Sequence, residues 1–71
     1  MAQHELINTI KVERAKRNMT QAELAIKVGV SRKTINTIET GKFTPSTITA
    51  IRIARAFELT VEDIFSIVPD K

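Results

Sequence analysis

Residues 20–39, with the sequence TQAELAIKVGVSRKTINTIE, constrain the fold more than any other part of the chain. Thr20 and Glu23 have the spacing of a capping box, which starts a helix by satisfying two of its free backbone amides. Gly29 can adopt a left-handed turn, and Ser31 directly beyond it is a favourable cap for a second helix. The segment therefore predicts two short helices that are joined by a tight turn and cross steeply.

Composition excludes several classes of protein. The chain has 71 residues, which is enough for one domain. It has no cysteine, so disulfides and thiolate metal sites are excluded, and its single histidine, His4, is expected to be solvated. We therefore expect no metal, no cofactor and no catalytic residues. No apolar run approaches the ~20 residues that a membrane span needs, and no secretory segment is evident, so a cytoplasmic location is expected.

Charge is unevenly distributed along the chain. Residues 11–42 contain eight basic and three acidic side chains, a net charge of +5. Residues 43–71 contain three basic and four acidic side chains, a net charge of −1. One side of the domain is therefore expected to be positive, as it is in proteins that meet a polyanion. Charge alone leaves nucleic-acid binding and ordinary solubility about equally open.

Apolar residues recur at intervals of three and four, and glycine and proline are few, so the chain is predicted to be helical. We predict an all-α fold in a single domain over residues 1–71. Its five helices are expected at about 5–17, 21–28, 32–40, 47–57 and 61–65, followed by a partly extended tail at 66–71. In the first helix Leu6, Ile7, Ile10 and Arg14 are expected to share one side. The expected buried positions elsewhere are Leu24, Ala25 and Val28 in the second helix, Ile35 and Ile38 in the third, with Val30 just before, and Ile48, Ile51, Ala54 and Phe57 in the fourth, with Ile53 beside them.

The third predicted helix carries a polar stripe opposite its two buried isoleucines. The stripe has no acidic and no large apolar residue, and it consists of Arg32, Lys33, Asn36, Thr37 and Thr40. Basic and amide side chains can pair with guanine and adenine in the major groove, and a threonine methyl can contact a thymine methyl. The alternative is an ordinary solvated helix face. The acid-free stripe, the caps and the turn occur together, and this combination favours DNA recognition.

The chain resembles the phage-repressor (Cro/cI-like, XRE) family of helix-turn-helix regulators from about Ile10 to Phe65. The family pattern is matched by Thr20-Gln21, Leu24-Ala25, Gly29-Val30-Ser31-Arg32, Thr34-Ile35, Ile38-Glu39, Gly41-Lys42 and Pro45-Ser46. The resemblance implies a compact five-helix lambda-repressor-like DNA-binding domain. Three positions depart from the pattern, namely Glu13, Asn18 and Glu58, and we expect them to affect stability rather than recognition.

The resemblance also implies roles for individual residues. Base readout is expected from Arg32, Lys33, Asn36 and Thr37. Contacts with the DNA backbone are expected from Gln21, Ser31, Thr40, Lys42, Thr44, Ser46 and Thr47. A partly buried ion pair between Arg14 and Glu39 is expected to tie the first helix to the third.

A single recognition helix reads about half of a site, so a two-fold dimer is expected. The apolar residues near the C-terminus exceed what one short helix would bury, and we predict that part of this set forms an isologous interface. These residues are Val61, Ile64, Phe65, Ile67 and Val68, and the alternative is that they close the core of the monomer. The predicted function is sequence-specific binding of double-stranded DNA by a homodimeric regulator. Repression by occlusion of a promoter is the proposed mechanism, and activation by contact with polymerase stays open. The alternative is an antitoxin-like or other protein-binding module; no small-molecule ligand is evident.

Overall fold

The computed structural model describes residues 5–68. Five helices follow one another between two short strands that pair with each other. In chain order the elements are β1 (Glu5–Asn8), α1 (Ile10–Lys16), α2 (Gln21–Val28), α3 (Arg32–Glu39), α4 (Thr47–Ala56), α5 (Val61–Ile64) and β2 (Phe65–Val68). None of these helices is long and apolar enough to cross a membrane.

Side-chain caps start four of the helices. The hydroxyl of Thr20 accepts a hydrogen bond from the amide of Glu23, whose carboxylate accepts one from the Thr20 amide, so the predicted capping box is present. Ser31 and Ser46 cap α3 and α4 by accepting from the third amide of each helix. Thr60 forms a second capping box with Asp63, and the hydrogen bonds from Thr60 lower the pKa of that carboxyl. Local chemistry therefore fixes where these helices begin.

The prediction of an all-α fold is wrong at the two ends of the described chain. Residues 5–8 form β1 rather than the first turns of a helix over residues 5–17, and they pair antiparallel with β2. Leu6 lies opposite Ile67, and the Thr9 amide continues the pairing by donating to the Ile64 carbonyl at 3.0 Å. Asn8 precedes Thr9, the N-cap residue of α1, and links β1 to the rest of the domain: its Oδ1 accepts from the Ile10 amide and its Nδ2 donates to the Ile38 carbonyl. Pairing with a distant segment has overridden the helical spacing of the apolar residues.

The core lies where α2, α3, α4 and α5 meet. Gly29, at φ +86°, ends α2 and lets the chain turn into α3. Ala25, only 3% exposed, is the small residue at this crossing, and its carbonyl accepts from the Gly29 amide at 2.8 Å. The remaining buried core residues are Ile10, Leu24, Val28, Ile35, Ile38, Ile53, Ala54, Phe57, Ile64 and Phe65.

The buried face of helix α4 was predicted correctly at Ala54, Phe57 and Ile53 and wrongly at Ile48 and Ile51. Ile48 and Ile51, expected to be buried, are 65% and 41% exposed. The buried positions are Ile53, Ala54 and Phe57, and they occur at the spacing of one helix face. The helix has apolar residues on two faces, so periodicity alone could not identify the one that packs inward.

Between residues 5 and 68, two residues other than glycine adopt a left-handed conformation, Asn18 at φ +51° and Glu58 at φ +59°. Glutamate is strained in this conformation, whereas asparagine tolerates it.

We expect Glu58→Gly to stabilise the domain by about 0.5–1 kcal/mol, since relief of about 1–2 kcal/mol of strain outweighs the added entropy of the unfolded chain. Asn18→Gly is the matched control, with little change expected. Urea unfolding measures both, and an equal response of the two variants would contradict the prediction.

Candidate nucleic-acid interface

Helix α3 is anchored on one side and open on the other. Ile35 and Ile38 are 0% and 1% exposed and fix the helix to the core. Arg32, Lys33 and Asn36, all on the predicted stripe, are exposed. Neither of the two cations forms an ion pair within residues 5–68. A rigid helix therefore carries uncompensated positive charge and an amide toward solvent.

The two threonines of the stripe turn their hydroxyl groups back to the helix. Thr37 Oγ1 donates to the Thr34 carbonyl at 2.9 Å, and Thr40 Oγ1 donates to the Asn36 carbonyl at 3.0 Å. Each hydroxyl has one hydrogen to donate, so neither is available as a donor to a ligand in this arrangement. Thr37 can therefore offer its methyl group to a base, and Thr40 would have to break a helix contact to reach a phosphate.

A hydrogen-bonded network holds Asn36 in place. Gln21, the first residue of α2, donates from Nε2 to Asn36 Oδ1 at 3.2 Å and to Glu39 Oε1 at 3.1 Å. The carboxylate of Glu39 also accepts from two nitrogens of Arg14, Nε at 2.5 Å and Nη2 at 3.0 Å. Residues from α1, α2 and α3 thus share one cluster, and the side chain that is expected to read a base is connected to it.

The ion pair between Arg14 and Glu39 is largely shielded from solvent. Its side chains are 15% and 6% exposed. The third nitrogen of the guanidinium, Nη1, donates to the Met19 carbonyl at 2.9 Å, so all three nitrogens of Arg14 are used. Hydrogen bonding to Glu39 raises the pKa of Arg14 above its ordinary value. The expected structural role of the pair is therefore matched by its geometry.

Free backbone amides lie at the starts of α2 and α4, the helices that precede and follow α3 in the chain. At α4, the caps of Ser46 satisfy the amides of Thr49 and Ala50, which leaves those of Thr47 and Ile48 without a helical partner. The same holds for the first two amides of α2. Such helix starts favour the binding of phosphate through their free amides and the helix dipole.

An open groove of about 630 Å³ lies at the start of α2. Its lining residues are Arg14, Ala15, Asn18, Met19, Thr20, Gln21, Ala22 and Arg32.

The loop between α3 and α4 adds further polar groups. Lys42 and Thr44 are exposed, and Lys42 forms no ion pair within the described residues. The structure brings this loop close to α3, because the Lys42 amide donates to the Thr37 carbonyl at 3.0 Å. Ser31 and Ser46 differ from the other predicted backbone-binding residues. Their hydroxyl groups cap α3 and α4, and each is also hydrogen-bonded to a threonine hydroxyl of its helix, that of Thr34 or of Thr49.

Comparisons with known proteins agree with this geometry. The family model described as helix-turn-helix matches residues 10–64. An uncharacterized helix-turn-helix-type transcriptional regulator from Archaeoglobus fulgidus is 57% identical over 79% of this chain and 79% of its own length. Another from Methanocaldococcus jannaschii is 52% identical over 82% of this chain and 88% of its own. The chain belongs to the XRE, or phage-repressor-like, family of helix-turn-helix transcriptional regulators.

Solved structures share the fold of this regulator. A candidate DNA-binding protein from Bacteroides fragilis superposes with a TM-score of 0.76 at 26% identity, over 86% of this chain and 98% of that chain. The clp gene regulator ClgR from Corynebacterium glutamicum gives a TM-score of 0.72 at 26% identity, over 76% of this chain and 57% of that one. The family is one of DNA-binding transcriptional regulators.

The predicted dimer residues of the regulator are not all on one surface. Ile64 and Phe65 are 1% and 7% exposed and belong to the core, so they do not form an exposed interface. Ile67 and Val68 are exposed, but successive residues of a strand point to opposite faces of the sheet. Ile67 lies on the face of its register partner Leu6, and Val68 on the other face. The sequence did not reveal this separation because β2 was not predicted as a strand.

Within residues 5–68 of the regulator, no group of three or more acidic or histidine side chains could hold a metal ion. His4, which was expected to be solvated, lies outside the described residues.

The buried ion pair of the regulator should dominate its electrostatic stability. We expect Arg14→Ala to lower the free energy of unfolding by about 3–5 kcal/mol, because Glu39 would keep a shielded charge without its main partner. Lys16→Ala is the control, since its ion pair with Glu13 spans 3.5 Å and its side chain is 62% exposed. That variant should change stability by less than about 1 kcal/mol. If urea unfolding showed the same decrease in the free energy of unfolding for both variants, the ion pair between Arg14 and Glu39 would contribute no more to stability than an exposed one.

Proposed function

We propose that this regulator binds a specific double-stranded DNA site by placing α3 in the major groove. The observation that carries the proposal is the exposed face of α3, where Arg32, Lys33 and Asn36 extend from a helix anchored by two buried isoleucines. Arginine and lysine pair with guanine, and asparagine with adenine. The bond from Gln21 to Asn36 supports a base-reading role for Asn36, because it limits the orientations of the amide before DNA arrives.

Backbone contacts would set the position of α3 in the groove. We assign phosphates to the starts of α2 and α4, where the amides of Gln21 and Thr47 lack helical partners. Lys42 and Thr44 in the loop after α3 would hold the same strand as α4. Thr40, Ser31 and Ser46 have weaker support as side-chain donors to phosphate, since their hydroxyl groups already form hydrogen bonds within the domain.

Base readout and backbone anchoring can be separated by two variants. Arg32→Ala should lose roughly 1–3 kcal/mol at selected base pairs and bind related sites less selectively. Lys42→Ala should weaken binding to all duplexes about equally and reduce the slope of log K against log salt by about 1. Duplexes selected from a random pool provide the target, and titrations at several salt concentrations provide the measurement. If Arg32→Ala kept the wild-type ratio between selected and random DNA, the base-reading assignment would be wrong.

We further propose that the regulator acts as a homodimer. A two-fold arrangement would place two recognition helices on half-sites about 34 Å apart, which one short helix cannot read alone. A continuous apolar surface supports this proposal. Leu6, Pro45, Ile51, Val61 and Phe65 line one shallow cavity of about 190 Å³, together with Thr47 and Ala50.

The same apolar surface extends in two directions. Along α4 it reaches Ile48, one turn before Ile51, and along β2 it reaches Ile67 beside Val61. Exposed apolar surface of this extent is typical of an interface with another protein. A second copy of the chain would cover it isologously. This interface differs from the predicted set by including α4, by omitting Ile64 and Val68, and by using Phe65 only as the buried floor of the cavity.

Dimerisation is tested by a charge placed in the proposed interface. Ile51→Glu should shift the protein to monomer in sedimentation equilibrium and weaken binding to a two-fold operator, since a charge in a dry interface is costly. Ile26→Glu is the control, because Ile26 is 81% exposed on α2 and does not line this surface. A wild-type protein that stays monomeric at tens of micromolar, with and without operator, would overturn the proposal.

Repression by occlusion is the regulatory mechanism we propose. A dimer bound across an operator that overlaps a promoter would exclude RNA polymerase from the same DNA face. An in vitro transcription assay with the selected site placed over a promoter tests this, with the site moved well upstream as the control. Reduced transcription only from the overlapping template is expected, and increased transcription would contradict repression.

A further inference from the structure

Phe43 is an aromatic residue that the fold does not use. It is 53% exposed, whereas Phe57 and Phe65 are 2% and 7% exposed and lie in the core. It occupies the loop between α3 and α4, outside the cavity of the proposed dimer interface. The domain therefore leaves a large apolar side chain in water next to the proposed recognition helix.

The loop holds the backbone of Phe43 in a fixed position relative to α3. Gly41 turns the chain at φ +80°. The amides of Lys42 and Phe43 then both donate to the Thr37 carbonyl, at 3.0 and 3.2 Å. Because two hydrogen bonds join the loop to one residue of α3, a ligand docked on α3 would lie close to the backbone of Phe43.

The neighbours of Phe43 identify the kind of surface it would meet. Lys42 precedes it and has no ion-pair partner within the described residues, and Thr44 and the free amides of α4 follow it. These groups suit phosphates, so Phe43 lies among contacts to a sugar–phosphate strand and not among contacts to base edges. Deoxyribose carbons are the apolar surface that such a strand offers between its phosphates.

We propose that Phe43 packs against a deoxyribose of the DNA strand whose phosphates are held by Lys42 and the start of α4. The proposal rests on the function proposed above and adds a contact that none of the polar residues supplies. Every nucleotide carries the same sugar, and the phenyl ring carries no charge. Phe43 therefore contributes affinity without selecting a sequence and without changing the number of counterions released.

The expected signature of Phe43 is a loss of affinity at constant salt slope. Phe43→Ala should weaken binding about five- to ten-fold to selected and random duplexes alike, as expected for removing a partly buried aromatic contact. The slope of log K against log salt should stay at the wild-type value, in contrast to Lys42→Ala. Phe43→Leu should recover part of the affinity, because it restores apolar contact area. Val12→Ala is the control, since Val12 is also 53% exposed but lies on α1.

Hydroxyl-radical footprinting locates the contact, because the radical attacks hydrogens of deoxyribose. Phe43→Ala, at a concentration that saturates the site, should restore cleavage at one or two sugars per half-site while the other protections remain. Unchanged affinity, a changed ratio between selected and random DNA, or a loss of dimer in sedimentation would each overturn the proposal. The last result would assign Phe43 to the contact between subunits. Absence of salt-dependent DNA binding by the wild-type protein would instead refute the proposed function, and this proposal with it.

Discussion

The bond between Arg14 and Glu39 is the interaction on which the functional surface depends. Helix α3 has only eight residues, and two buried isoleucines hold one side of it. Two buried apolar side chains fix the distance of the helix from the core better than they fix its rotation about its own axis. The ion pair, shielded at 15% and 6% exposure, adds a directional contact from α1 near the end of α3. Gln21 joins the same carboxylate to Asn36, so rotation of α3 about its axis would break both hydrogen bonds of Gln21.

The central helices could be predicted from the sequence because their signals are local. Thr20, Gly29 and Ser31 each act on backbone groups within a few residues, and the structure has each of them in the expected conformation or cap. The strands could not be predicted in this way. Leu6 has helical spacing to Ile10, and only its pairing with Ile67, far along the chain, makes the segment a strand. A pairing between distant segments leaves no periodic signal in either segment when each is four residues long.

Helix α4 shows a second limit of sequence patterns, and this limit has a functional consequence. Isoleucine occurs on both the inward face and the outward face, so the sequence predicts burial but not its direction. Ile53 lies in the core, and Ile48 and Ile51 lie outside it.

At the candidate site, the sequence shows which residue types form the stripe on α3. It does not show that the Thr37 hydroxyl points back to the helix, because that rotamer depends on a hydrogen bond to the Thr34 carbonyl that exists only once the helix has formed.

The distribution of charge fits this division between a polar face and an apolar face. The net charge of +5 over residues 11–42 falls on α1, α2, α3 and the start of the loop that carries Lys42. Residues 43–71, which include α4, α5 and β2, have a net charge of −1. Two copies that meet through the apolar surface of α4 and β2 would therefore bring nearly neutral segments together. Their basic segments would stay apart from each other and face the phosphates, so that association and DNA binding would not compete for the same charges.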